Sequence, residues 1–287
     1  MPKNLAPWSA RFAKIALCIA VAIVAATCGD GSSDTSTSPT TPTPPPSSGS
    51  GSTSVWRPRP GTSWQWQLSG TIDTSFDVSM YDVDLVDVPQ GTIAELKSQG
   101  RVVICYFSAG TWEPFRPDSG AFPDGVLGNM LDHFPDERWL DIRRMDVLAP
   151  IMEARLDLAA FKGCDGVEPD NVDGYSNDSG FPLSAQDQLD YNRWLAEHAH
   201  ARGLSVGLKN DLAQVGELEP FFDWALNEQC FEFDECELLL PFVDAGKAVF
   251  GVEYNRDPDE FCPEANRMNY DWLLKRIDLD AFRLACR

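Results

Sequence analysis

Histidine is nearly missing from this chain of 287 residues, which holds only His133, His198 and His200. None closes a strand-like run, and His198 and His200, two residues apart, do not share a helix face, so an imidazole-based metal site is disfavoured. No Gly-x-Ser-x-Gly elbow occurs and Ser108 has no evident His partner, which argues against a Ser-His-Asp hydrolase. No Gly-rich phosphate loop follows the first strand-like run, which argues against a doubly wound nucleotide-binding sheet. Bases are also short, 23 Lys and Arg against 44 Asp and Glu. Such a chain does not suit nucleic acid or an anionic membrane surface, and its field favours a cationic ligand. No cofactor and no metal are expected; the alternative is an oxygen-liganded cation such as Ca²⁺ in the stretch Asp170–Asp178.

What is present begins with an export signal. Lys3, Arg11 and Lys14 precede an apolar run, Ile15–Ala26, too short to span a bilayer. Cys28 follows Val24, Ala25, Ala26 and Thr27, an arrangement that resembles a bacterial lipoprotein cleavage site, although Thr27 is unusual there. The expectation is a signal over 1–28 with Cys28 lipidated, a lipid anchor being the only membrane contact; ordinary secretion is the alternative. Loss of three bases with the signal takes the formal net charge from −21 to −24. Residues 29–55 are Ser, Thr, Pro and Gly with almost nothing apolar to bury, hence a linker. Residues 56–287 contain no second such break and have the length of one α/β barrel. A surface or periplasmic lipoprotein is expected, and a monomer, because no coiled-coil stretch or surplus apolar patch is visible.

Within that domain, β-rich runs alternate with amphipathic segments, the pattern of βα units around a parallel sheet. Eight strands are read at Trp64–Leu68, Met80–Asp87, Arg101–Ser108, Cys164–Pro169, Leu204–Lys209, Trp224–Glu228, Lys247–Tyr254 and Tyr270–Lys275. Helical spacing occurs at Thr92–Gln99, Met152–Phe161, Gln186–Ala201 and Glu235–Val243, with Gly100, Gly163, Gly203 and Gly246 as stops. This predicts a (β/α)8 TIM barrel. The stretch Thr111–Leu148 is too long for a minimal loop and is expected to wall the cleft.

In such barrels the chemistry sits at the C-terminal strand ends. Here those ends carry Asp84 and Asp87; Tyr106 and Ser108; Glu168, Asp170, Asn171, Asp173 and Tyr175; Lys209 and Asn210; Asn227 and Glu228; and Glu253 and Tyr254. Acids converging from several strands suit glycoside hydrolysis, in which one carboxylate is nucleophile or base and another protonates the leaving oxygen. The structural alternative is that Asp84 and Asp173 cap loops and Lys209 merely pairs with an acid. Of the cysteines beyond Cys28, Cys230 with Cys236 and Cys262 with Cys286 are the expected disulfides from their proximity. Cys105 and Cys164 read equally well as a bridge or as buried thiols.

The blocks DGVEPDNVDGY (Asp165–Tyr175), GLSVGLKND (Gly203–Asp211), ALNEQCFEFDEC (Ala225–Cys236) and AVFGVEYN (Ala248–Asn255) together resemble glycoside hydrolase family 114. The resemblance runs from about Trp64 to Cys286 and implies an endo-α-1,4-polygalactosaminidase on a (β/α)8 barrel, acting on galactosamine-containing exopolysaccharide. It implies Asp170, in the PDN block, as nucleophile and Glu228, in the NE-x-C block, as general acid/base. Glu168 is an alternative catalyst, sharing a strand face with Asp170 and lying one layer deeper, and Glu253 is an alternative to Glu228. Lys209, if it points inward, would keep Asp170 ionised. Asp84, Asp87, Asp173 and Glu253 are candidates for the ammonium groups of a cationic polymer, and Tyr106, Trp112, Tyr175 and Tyr254 for its ring faces. Glu168, Asn171, Lys209 and Asn210 complete the expected substrate set. The competing readings are a hydrolase of another α-linked glycan and a catalytically silent sugar-binding barrel.

Overall fold

The alternation of apolar and amphipathic runs becomes parallel strands and outer helices in a computed structural model that describes residues 55–287. In chain order the elements are β1 (Trp64–Gln67), β2 (Met80–Asp84), α1 (Gln90–Ser98), β3 (Val102–Ser108), β4 (Thr111–Trp112), β5 (Leu127–Leu131), β6 (Phe134–Leu140) and α2 (Met145–Lys162). There follow β7 (Gly166–Asp170), α3 (Ala185–Ala201), β8 (Ser205–Lys209), α4 (Val215–Leu218), β9 (Trp224–Glu228), α5 (Cys230–Phe233) and α6 (Leu240–Asp244). The chain ends with β10 (Val249–Glu253), α7 (Pro258–Arg267), β11 (Asp271–Leu274) and β12 (Leu284–Ala285). The expected signal, Cys28 and almost all of the expected linker lie outside the described residues. Among the described residues no helix is long and apolar enough to cross a membrane.

The sheet order is β1-β2-β3-β7-β8-β9-β10-β11, all parallel, with β12 antiparallel on β11. These are the eight strands read from the sequence, their ends shifted by no more than three residues. Between β11 and β1 the C-terminal segment fills the seam: Leu279 O accepts from the N–H groups of Leu68 and Ser69 (3.0 and 3.3 Å), and the Gln65 amide donates to Ala281 O (2.9 Å). Across the same seam the Trp64 indole N–H donates to Asp271 O at 2.8 Å. At the opposite end from the strand tips, the entering chain lies against the strand starts. There Pro58 O accepts from Ala248 N (3.1 Å), and Arg57 Nε donates to Asp223 Oδ1 (3.0 Å).

Residues alternate faces along each strand, so each strand feeds two cores. The inner one fills the barrel with Trp64, Trp66, Trp224 and Phe250, packed with Met80, Ile104, Leu226 and Val252. Trp224 fits because β8 offers Gly207 beside it; a Cβ there would lie 2.3 Å from the indole. The outer core, between strands and helices, holds Val83, Val103, Val167, Val206, Ala225 and Val249. Each large side chain taken fully from water contributes about 1.5–3 kcal/mol, so this filling supplies much of the barrel's cohesion.

The helices depart more from expectation. The four predicted glycine stops all adopt left-handed backbone, φ +74° to +89°, which a Cβ would penalise. However, α2 starts seven residues before the predicted Met152, because Pro150 costs the helix only one amide near its first turns. Glu235–Val243 divides into a 3₁₀ turn, Cys236–Leu239, and α6. The periodicity misses α4 and α5, one turn each, and α7, which carries Pro258 and Pro263. Cys230–Cys236 and Cys262–Cys286 are bridged as expected, and Cys105–Cys164 is a third disulfide, tying β3 to the start of β7.

Candidate active site

Three neighbouring strands deliver the site. On β7, Pro169 has no N–H to donate, and the ladder to β8 stops at Val167↔Val206, so the strands part where Asp170 and Lys209 emerge. The chain then turns sharply after each polar tip. Asn171, Asn210 and Gln229, which follow Asp170, Lys209 and Glu228, have φ of +60°, +49° and +67°. Left-handed backbone at three non-glycine residues in one layer is strain retained where side chains are held for a purpose.

Lys209 is the hub. Its ammonium, with the side chain 1% exposed, lies 3.2 Å from Glu168 Oε1, 3.0 Å from Asp170 Oδ1 and 3.2 Å from Glu228 Oε2. Burial alone would lower its pKa, but the three carboxylates raise it well above the usual lysine value, so it remains a cation. Each acid has a second partner. The Trp66 indole donates to Glu168 Oε2 (3.0 Å), the Tyr106 hydroxyl to Asp170 Oδ2 (3.0 Å) and the Tyr254 hydroxyl to Glu228 Oε1. Burial, then the adjacent carboxylate, pushes both tyrosines well up, which keeps them as donors. Asn171 N adds a contact to Asp170 Oδ1 (2.7 Å), while Asn210 Oδ1 accepts from Glu228 N (3.0 Å) and the Asn227 amide (3.2 Å).

Several residues of the expected substrate set are engaged within the protein or lie away from the cleft. Glu253 is fully buried and faces the helix layer, its Oε1 accepting from Phe231 N (3.0 Å); strand alternation turns Tyr254 inward and Glu253 outward. Asp84 is spent inside the protein, on Arg116 (2.7 Å), which also pairs with Glu113 (2.8 Å), and on the N–H groups of Val86 and Asp87. Its charge is thus already matched. Glu168 is buried beneath Asp170 and Glu228, and Lys209, 1% exposed, only reaches the bottom of the cleft. Trp112 gives its indole N–H to Ser119 O (3.0 Å), bracing the excursion, and Asp87 is exposed on the turn before α1.

Asp170, Asn171, Asp173, Lys209 and Asn210 do line one cleft, whose other wall is supplied by Thr111–Leu148. That segment forms its own antiparallel sheet, β4-β6-β5, and brings Leu131, Asp132, Phe134 and Trp139 to the cleft. Asp173 is pushed up to about 6 by burial and by Asp170. Asp211, which accepts from the Asn192 amide (3.0 Å), is pushed up to about 8 by burial and by Asp173. On β6, Glu137 accepts from Thr111 Oγ1 (3.0 Å) and is pushed up to about 8 by burial and by Glu113. Sequence reasoning missed Trp66 and Asp82, of which only Asp82 left a signal, an acid in mid-strand on the same face as Asp84; Asp132, Glu137 and Trp139 lie in the stretch Thr111–Leu148 expected to wall the cleft, where Asp132 and Glu137 were not singled out.

Comparisons with known proteins agree with this geometry. The profile described as glycoside-hydrolase family GH114 matches residues 46–287. The chain is similar to Ega3 from Aspergillus fumigatus, solved in complex with galactosamine, at 41% identity and a TM-score of 0.78, covering 83% of this chain and 100% of that one. It shares its fold with the glycoside hydrolase domain of PelA from Pseudomonas aeruginosa, at 13% identity and a TM-score of 0.62, over 78% of this chain and 98% of that one. No curated protein sequence matches. With the family profile spanning the whole barrel, the chain belongs to glycoside hydrolase family GH114 and is a glycosidase.

Proposed function

We propose that this protein is an exported, endo-acting α-1,4-polygalactosaminidase that cleaves galactosamine-rich exopolysaccharide with retention, Asp170 being the nucleophile and Glu228 the general acid/base. One observation carries the mechanism: a single buried ammonium touches Asp170 Oδ1 and Glu228 Oε2 at 3.0 and 3.2 Å. One ammonium shared between the two carboxyl groups draws them together, which favours the roughly 5–5.5 Å spacing of a retaining pair over the roughly 6.5–9.5 Å that admits an inverting water. In the first step Glu228, having taken up a proton from solvent, gives it to the departing oxygen as an Asp170 oxygen bonds to the anomeric carbon and the glycosidic C–O bond breaks. In the second, water loses a proton to Glu228, bonds to the same carbon and releases Asp170. Tyr106 and Lys209 aim the nucleophile, and Tyr254 aims the acid/base.

Asp132 and Asp173 in the cleft favour a cationic sugar, and Phe134 and Trp139 offer apolar surface to its rings. Ega3, a relative at 41% identity, binds galactosamine in its crystal, which supports the same sugar here. Residues 1–28 are proposed as a signal with Cys28 lipidated, 29–55 as a tether and 56–287 as the catalytic domain. Mass spectrometry of the mature N-terminus, expected to begin with an acylated Cys28, tests the anchor. The function is tested by reducing ends released from purified galactosaminogalactan. No release by the wild type refutes the substrate, and activity persisting in both Asp170→Asn and Glu228→Gln refutes the assigned roles.

A further inference from the structure

Beneath the two proposed catalytic acids lies a carboxyl group that the mechanism leaves unused. Asp82 stands in mid-β2, in register with Trp66 of β1, and its side chain faces the barrel interior, 0% exposed. Among the described residues no protein N–H or O–H reaches either of its oxygens. It is within hydrogen-bonding reach of Glu168, which is also 0% exposed. The charged and titratable groups around the pair are Lys209 on β8, Asp170 on β7 and Glu228 on β9, so Lys209 is the one cation set against Asp82, Glu168, Asp170 and Glu228.

An ionised Asp82 in that position would be a buried charge with no donor, beside a second carboxylate; such a charge takes up a proton rather than persist. Glu168 differs: burial pushes it up to about 7, but it accepts from the Trp66 indole and faces the Lys209 ammonium, both of which favour its anion over that of Asp82. We propose that Asp82 is a positioning residue held as the neutral acid, whose O–H donates to Glu168 and so keeps Glu168 the anion that anchors Lys209 between Asp170 and Glu228. Burial, then the Glu168 charge, raises Asp82 well above the usual aspartate range, in keeping with this geometry. Two acids sharing one proton thus form the floor on which the catalytic pair is set, and Asp82 acts on the reaction only through Glu168 and Lys209.

This inference rests on the reading of Asp170 and Glu228 as the acting pair, and its test has one arm that needs no substrate. Infrared spectra of the wild type and Asp82→Asn at neutral pH, subtracted, are expected to show a protonated-carboxyl C=O band that the variant lacks. Absence of that band overturns the proposal whatever the enzyme's substrate. In kinetics on the polymer, Asp82→Leu removes the donor and is expected to lower kcat about 10- to 100-fold with KM little changed, as for a lost hydrogen bond to a charged group. Asp82→Asn, whose amide donates in place of the acid, is expected to recover most of that loss. An Asn variant no better than the Leu variant, or a Leu variant with undiminished kcat, overturns the role. If the Leu variant does not fold, the Asn variant's infrared difference and kcat still decide. If the wild type leaves the polymer intact, the substrate assignment fails while the infrared band still tests the shared proton.

Discussion

The Lys209 ammonium sits 4.9 Å from the centre of the Trp66 ring, and the edge of the same indole donates to Glu168 at 3.0 Å. One tryptophan thus holds both members of a buried ion pair, the cation through its face and the anion through its N–H. That fixes the ammonium from the side opposite the substrate.

Removing the cation strands the acids around it. Lys209→Met is expected to cost about 3–5 kcal/mol of stability, the usual effect of breaking a buried pair by deleting one partner. It should also lower kcat by at least about 100-fold through lost electrostatic positioning. Thermal melts and reducing-end assays check the two effects separately, and a variant as active as the wild type contradicts the hub role.

Gly110 is required by close approach. A Cβ there would sit 1.7 Å from Asn171 O, and Gly110 N donates to Asp170 O at 3.1 Å. Gly110→Ala must push Asn171, and with it Asp170, off position; a displacement near 1 Å is expected to cost about 100-fold in kcat. Gly120→Ala, with nothing within 4 Å of the added carbon, is the control expected to leave activity intact.

Stability should fall as the pH rises from about 5 to about 7. Asp211, raised to about 8 by burial and Asp173, and Asp173, raised to about 6 by burial and Asp170, hold protons when folded that they lose near pH 4 when unfolded. The folded state therefore binds more protons across that window, and stability drains as pH climbs toward the folded values. Lys275, lowered to about 7 by burial, adds its opposite slope only above that value. Melting temperatures of the wild type should drop by a few degrees over this range. Asp211→Asn, whose amide suits the left-handed backbone there, should flatten the slope; an unchanged slope contradicts the assignment.

The Cys105–Cys164 bridge closes a loop of 59 residues, against 6 for Cys230–Cys236. Chain entropy makes the longer closure the more stabilising, so Cys105→Ala/Cys164→Ala should lose roughly 2–5 kcal/mol in urea titrations. The Cys230→Ala/Cys236→Ala pair should lose less. The reverse order would show that strain or local packing, not loop closure, governs these bridges.

The strands were legible in the sequence because β-rich runs bounded by glycine stops are a local signal. That Asp170 and Glu228 stand at the mouth was legible because strand ends map there, but only the resemblance to family 114 singled them out from the other mouth acids as the proposed pair. Four things were not. Glu253 and Tyr254 are adjacent, and which one faces inward depends on a register the sequence does not state. Asp84 reads as a mouth acid until the excursion folds Arg116 onto it, a contact spanning 32 residues. Trp66 looks like core, and is; its second task, donating to Glu168, depends on a partner 102 residues away. The helices α4 and α5 were missed because one turn carries no periodicity, and α7 because Pro258 and Pro263 read as breakers.

The strap at residues 57–58 crosses the strand starts, on the floor of the barrel, whereas Asp170, Lys209 and Glu228 stand at its roof. Any pull transmitted through the preceding chain is therefore borne by the floor, with the roof left unloaded. Under the proposed function, a polysaccharide strand lying across the roof would not meet the proposed tether. The proposed tether would thus enter the domain a full barrel height away from the proposed cutting site.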